Sequence, residues 1–368
     1  MAAGIGKVIA TTIVNMLIVL IIVALVMSTI FVIQADTYLK GLAKEMYNLR
    51  ARQVEQQLAR AGVSKEQIRQ KLELLNKTIW ESLGLTRPIH ERILIYAWNA
   101  ITFNFTAFPI RQGVRYPGGG NNAGEVVLNA LKATAILFTT ATIIVLIIAI
   151  LIGLQVAKRA GSVLDRIIIG IALLSNSLPM WWVGILMLLI FSYHLGIFPY
   201  AAKEVYAALS NLDPHSPFYI FDYIKTWLYY MALPLITIIL VSFGGSSYIV
   251  RNIVLGTLRE DFVMVARAKG LPERIVLYKH VLRAASPPIV TMTALSLVNS
   301  LSGAIITETV FQWPGMGMTY WIAIQNGDTG VVMANTWITT FLFIVVIFTL
   351  DFIYMLLDPR VRVGKRQT

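Results

Sequence analysis

Six stretches without Asp, Glu, Lys or Arg set the frame for this chain: residues 8–35, 133–157, 167–202, 226–250, 284–307 and 329–350. A helix needs about 20 apolar residues to cross a bilayer. In lipid every backbone amide and carbonyl must be satisfied inside the segment itself. Each stretch therefore predicts one membrane-spanning helix, at roughly 9–33, 126–156, 167–195, 227–250, 289–307 and 333–357. The expected fold is an all-α polytopic membrane protein with six transmembrane helices. An even count leaves both termini on one side.

The charges between these stretches orient them, because short loops rich in Lys and Arg stay in the cytoplasm. Segment 158–166 carries Lys158, Arg159 and Arg166 against Asp165, segment 251–288 carries seven basic residues, and the tail carries Arg360, Arg362, Lys365 and Arg366. The alternate loops, 203–225 and 308–328, hold two basic residues and none. The cytoplasmic side is thus expected for both termini in a multi-pass protein of the cell membrane. A net charge of +12 invites a nucleic-acid partner. Its placement beside membrane spans argues against one and for lipid headgroups.

The division expected along the chain is an N-terminal span (1–33), a largely helical extracytoplasmic segment (34–125), a five-span core (126–358) and a short tail (359–368). In the outer segment Ser64 and Gln67 have the capping-box spacing, with Val63 and Ile68 placed to staple it, so a helix starts there. The uncharged stretch 93–110 is polar enough, with Asn99, Thr102, Asn104 and Thr106, to be read as an interfacial fold and not a seventh span. Residues 117–122, Pro-Gly-Gly-Gly-Asn-Asn, read as a flexible joint. Asn76 with Thr78 and Asn104 with Thr106 match glycan acceptors.

Polar residues at membrane depth face a bundle interior or a water-filled path. Ser175, Asn176 and Ser177, just before Pro179, and Asn299, Ser300 and Ser302 are therefore candidates for a path, with helix-to-helix hydrogen bonding as the competing role. Gly244, Gly245, Ser246 and Ser247 suit close helix packing. Asp351, near the inner end of the last span, is expected to pair with a basic residue. Glu308, Val310, Phe311, Trp313, Pro314, Gly315, Met316 and Gly317 form an acidic and aromatic turn at the outer end of the fifth span.

Reaction chemistry is hard to place on this chain. Cysteine is absent, which excludes thiolate nucleophiles and thiolate metal sites. Neither HExxH nor GxSxG occurs, and the phosphate cradle GxxxxGK followed by Ser or Thr is missing. The chain is expected to be no enzyme, with no metal and no cofactor of its own.

The charged segment 251–288 is the exception among apolar neighbours. Leu255, Leu258, Phe262 and Val265 or Ala266 recur at helical spacing, which predicts a short amphipathic helix. Gly270 ends it, Lys269 favours its last turn, and Pro272 with Glu273 opens the next helix. Ala266, Ala268 and Gly270 make a thin surface that another backbone can approach. An ordinary solvated loop of two helices fits the same pattern.

Asp261, Phe262, Val263, Ala266, Arg267, Ala268, Lys269, Gly270 and Leu271, followed by His280, Leu282, Arg283 and Pro287, closely resemble the signature loop of ABC-transporter permeases of the dipeptide, oligopeptide and nickel group. The segments Glu308, Val310, Phe311, Pro314, Gly315, Gly317 and Leu357, Asp358, Pro359, Arg360, Arg362 agree in order. The chain departs in carrying Met264 and Val265 where the general motif has Glu-Ala, and in a longer helical stretch over 40–80. The resemblance implies a type I ABC importer permease fold and half of a translocation path for short peptides or oligosaccharides. It also implies a second homologous permease subunit, two ATPase subunits holding ATP and Mg, and an extracytoplasmic substrate-binding protein. Asp261 to Leu271 and Arg274 would then form the ATPase-coupling loop, and Glu308, Phe311, Pro314, Gly315 and Gly317 an outer gate or turn. The alternative from another class is a membrane scaffold or sensor that binds a ligand through its outer helices and signals through the loop.

Overall fold

A computed structural model describes residues 2–108, 110–111, 113–301 and 304–357, and it is helical throughout with no strand among them. Four helices are long and apolar enough to cross a membrane: α1 (Ala2–Arg60), α4 (Ala123–Lys158), α8 (Tyr219–Thr257) and α14 (Thr329–Leu357). Between them lie α2 (Lys65–Ser82), α3 (Ile89–Ile101), α5 (Val163–Ser177), α6 (Met180–Met187, continued by a wide turn over Leu188–His194) and α7 (Val205–Ser210). After α8 come α9 (Asp261–Ala268), α10 (Glu273–Ile275), α11 (Leu282–Leu301), α12 (Ile305–Phe311) and α13 (Met316–Gln325).

The expected third span is broken. Axes α5 and α6 meet at 93°, with Leu178 extended and Pro179 unable to donate the next ladder hydrogen bond. Its partners on α8 nevertheless advance steadily: Asp165 meets Arg251, Ile171 and Ser175 meet Gly244, and Phe198 stacks near Tyr229. Tyr229 and Arg251 are 22 residues apart on one helix, about 33 Å, the thickness of a hydrocarbon core. The broken pair thus runs along α8 over the thickness of one hydrocarbon core.

The expected fifth span is also two helices. Its first part, α11, starts in a buried cluster with Leu154 near one end of α4. Beyond α12, Trp313 donates from Nε1 to the carbonyl of Ala133 near the other end, at 3.1 Å. Ala133 and Leu154 lie 21 residues apart, about 32 Å. Among the described residues, four helices and the bent α5–α6 pair are long and apolar enough to cross a membrane, and α11 with α12 runs along a comparable length of α4.

The first crossing runs on without a break from membrane into the outer segment, so position 33 is a depth and not a joint. Beyond it α2 folds back on α1, burying Ala35, Leu39 and Ala43 against Ile79 and Leu85. Ser64 caps α2 as its spacing predicts, accepting from the Gln67 amide at 3.4 Å. Helix α3 covers only 13 residues and returns to α1, where Arg92 meets Asp36 at 2.6 Å. It is about 20 Å long, too short to be a seventh span.

The Gly-rich stretch at 117–122 is an ordered cap and not a flexible joint. Asn122 accepts from the Glu125 amide at 3.0 Å, Glu125 returns a carboxylate oxygen to the Asn121 amide at 2.8 Å, and Asn129 donates to the Gly118 carbonyl. That reciprocal pair satisfies the first amides of α4. Tyr116 and the Arg111 amide both donate to Asp328, which caps α14 through the Val331 amide. The outer segment is thereby fastened to the last span.

Candidate functional site: the α9 surface and the cavity it leads to

The signature segment divides differently from its sequence pattern. Leu255 belongs to the end of α8, a turn over 258–260 follows, and α9 is separate. Val263 and Ala266 are the buried residues of α9; of the apolar stripe read as Phe262 with Val265 or Ala266, only Ala266 is buried, and Phe262 and Val265 are exposed along with Met264. Packing on the wide turn Val276–Val281 that follows α10 selects the 263/266 pair, a choice the helical period alone cannot make. Ala266 consequently leaves the thin outer surface, which consists of Phe262, Met264, Val265, Ala268 and Gly270, beside the exposed Asp261, Lys269 and Arg274.

Gly270 ends α9 as expected, with φ of +73° and open space around the position of a Cβ. Pro272 precedes α10. Arg267 closes the loop by donating to both carboxylate oxygens of Glu273, at 2.8 and 3.2 Å. That guanidinium holds Glu273 below the usual carboxylate range. Leu271 packs at the margin of the buried cluster.

Beneath α9, Val263 and Ala266 pack with Val276, Leu277 and Val281 of the wide turn that follows α10, in one cluster with Val250 and Val254 of α8, Ala149, Leu154 and Ala157 of α4, and Ala285 and Ile289 of α11. A cavity of about 280 Å³ lies directly beyond, with Ala149 in its wall. Hydroxyls line it from three helices: Thr142 of α4, Ser242 and Ser246 of α8, and Thr293, Ser296 and Ser300 of α11. Met180 and Met292 supply adaptable apolar surface. Such a wall offers hydrogen bonds without fixed charge among the residues that line it.

Of the residues singled out as path candidates, Ser300 reaches the cavity. The Ser175 hydroxyl would lie 2.8 Å from a Cβ on Gly244, Asn176 lies beside Gly245, and Ser177 donates to the Leu173 carbonyl. Ser175 and Asn176 lie against α8, Ser177 is exposed, and none of the three lines the cavity. The side chains of Asn299 and Asp351, and all of Ser302, fall outside the described residues. Ser242, Ser246 and Ser296 were hidden in the sequence because spacing of four along α8 and α11 is common to all apolar helices. Ser246 there reads as a small packing residue.

The acidic and aromatic turn is a buried knot. Glu308 accepts from the amides of Gly317 and Met318 at 2.7 and 3.1 Å and from Thr134 at 2.8 Å. A carboxylate there complements the positive end of α13. Phe311, Pro314, Gly315 and Gly317 are all buried. The group sits against α4 and α6, where Phe311 closes on Gly184.

Residues 146–363 match the family described as binding-protein-dependent transport system inner membrane component. The chain is 30% identical over 289 residues to the di/tripeptide transport system permease protein DppB of Pseudomonas aeruginosa, covering 76% of this chain and 83% of that protein. The same identity and coverage hold over 291 residues of the dipeptide transport system permease protein DppB of Escherichia coli K12. The oligopeptide transport system permease protein AppB of Bacillus subtilis is 29% identical over 281 residues, again covering 76% and 83%.

Proposed function

This chain belongs to the family of binding-protein-dependent transport system inner-membrane components, and from that premise we propose that its cavity is half of a translocation path for short peptides. It is a permease subunit of an importer and not an enzyme. A second, homologous permease supplies the other half of the path. Two ATPase subunits, holding ATP and Mg, dock on Asp261, Phe262, Met264, Val265, Ala268, Lys269, Gly270 and Arg274, and an extracytoplasmic binding protein delivers the substrate. The loops around 158–166 and 251–288 face the cytoplasm, as do both termini, in keeping with their Lys and Arg content.

The observation that carries this reading is the continuity from α9 to the cavity. Movement of α9 acts through Val263 and Ala266 on the wide turn Val276–Val281 that leads into α11, in a cluster shared with α4 and α8, and those three helices carry the hydroxyl lining. Packed clusters rearrange between discrete states and do not deform smoothly, so a docked motor can switch the cavity's access. A lining of hydroxyls and methionines suits peptides of varied side chain, since it hydrogen-bonds backbone groups and adapts to apolar ones. Relatives named for di-, tri- and oligopeptides support that substrate class.

The test is uptake by the assembled complex in proteoliposomes. With ATP on the ATPase side and loaded binding protein on the other, labelled short peptides should accumulate, and without ATP they should not. Accumulation of an oligosaccharide in place of peptides would overturn the substrate, and active ATPase with uptake of neither would overturn the function.

A further inference from the structure

We propose that Asp165 and Arg251 are a coupling latch, a positioning pair that makes α5 follow the end of α8 when α9 is moved. The inference rests on the permease reading above. It concerns how motion reaches the broken span, whose inner limb does not touch the cavity.

Both limbs of that span pack along α8, but they are held by different contacts. Asp165, at the start of α5, is almost fully buried and accepts from Arg251 through Nε at 3.0 Å and through a terminal nitrogen at 2.8 Å. The Gly161 amide donates to the same carboxylate at 2.7 Å, and Ser162 caps the Asp165 amide. Arg251 follows Val250, and both Val250 and Val254 lie in the cluster under α9. Three donors on one carboxylate, two of them from one guanidinium, fix orientation as well as distance. Apolar helix packing alone would let α5 slide. Farther along, Gly244 brings the α8 backbone against Ile171, extending the same contact.

The outer limb rests on α8 at Leu233 and is held in addition by α12. Gly184 of α6 lies under Phe311, where a Cβ would come within 2.9 Å of the ring, and Leu188 shares a cluster with Phe311 and Leu233. Phe311 is part of the knot that Glu308 ties to α13 and to Thr134 of α4. Between the limbs stand the extended Leu178 and Pro179 and the 93° bend. Hinges form at such element ends, where few backbone bonds resist a change of dihedral. The latch sends the movement of α9 into α5, and the bend absorbs it.

The chain has no cysteine, so spin labels can be placed by substitution at Val163 on α5, Gly256 on α8 and Ile185 on α6 in the complete complex in lipid nanodiscs. Between nucleotide-free and ATP-bound states the 163–256 distance should stay constant while the 163–185 distance changes. With Arg251→Gln the 163–256 distance should broaden or become state-dependent, and ATP consumed per peptide should rise several-fold while the complex still assembles. Arg251→Lys, which keeps the charge and loses the fork, should fall between. A 163–256 distance that changes in the unmodified latch overturns the proposal whatever the variants do, as does Arg251→Gln with an unaltered distance and an unaltered ATP-to-peptide ratio. A complex with active ATPase and uptake of neither peptide nor oligosaccharide would refute the permease reading, whereas one that transports with a moving 163–256 distance refutes the latch alone.

Discussion

Glu308 reaches the first amides of α13 across Gly315, where a Cβ would lie 2.5 Å from either carboxylate oxygen. The glycine is the space the carboxylate needs. Gly315→Ala should destabilise the chain by about 1–3 kcal/mol through overpacking. Glu308→Ala should cost more, because Thr134 and the Gly317 and Met318 amides each lose a buried acceptor at roughly 1–3 kcal/mol apiece. Melting temperatures in detergent check the order. Equal stability of Gly315→Ala and the parent would remove the knot from the account.

Adjacent positions on α9 should fail in different ways. Val263→Glu puts an unpaired charge into the cluster beneath α9, at a cost of about 3–5 kcal/mol, so the chain itself should be lost from membranes. Met264→Glu changes an exposed residue, so the chain should remain folded and lose its ATPase partner on copurification. Gly270→Arg adds bulk to the same surface at a left-handed residue and should prevent ATPase docking and with it uptake.

The cavity separates path residues from packing residues. Ser246→Trp should cut peptide uptake several-fold while leaving assembly intact, because the side chain enters the space shared with Ser242 and Ser296. Ser177→Ala removes only a hydroxyl bonded to its own helix and should leave uptake unchanged. Transport rates in proteoliposomes decide between them.

The outer ion pair has a defined pH window. Hydrogen bonds from Lys40 and Arg92 hold the Asp36 carboxyl below its ordinary value of 3.8. A depressed folded-state value stabilises the fold above the unfolded value, and that stability is lost as pH falls through the folded one. The melting-temperature penalty of Arg92→Gln should therefore be constant between about pH 6 and pH 8 and shrink below about pH 4. A penalty that fades already near neutrality would mean that Asp36 is not the partner that matters.

Apolar length made the crossings legible, since charge-free runs in lipid leave the backbone no other fold. Capping chemistry was legible too, at Ser64 and Gly270, because both act within one turn. The breaks were less so. Pro179 marked a disturbance, but the size of the bend depends on α6 leaning toward Phe311, a contact more than 120 residues distant in sequence. The site was half legible for the same reason. Local pattern places Gly270 and Lys269 at the end of the helix, while the choice of Val263 over Phe262 for burial, and of Ser242 over Ser175 for the cavity, is made by segments packed from farther along the chain.

The most direct test of the account is cross-linking from Met264→Cys, placed in a chain that has no other cysteine, to the ATPase subunit in intact membranes. The account predicts an efficient cross-link from position 264 that disappears with Gly270→Arg, and none from Ile185→Cys on α6. Equal cross-linking from both positions, or none from 264 in membranes that carry out ATP-dependent peptide uptake, would contradict it.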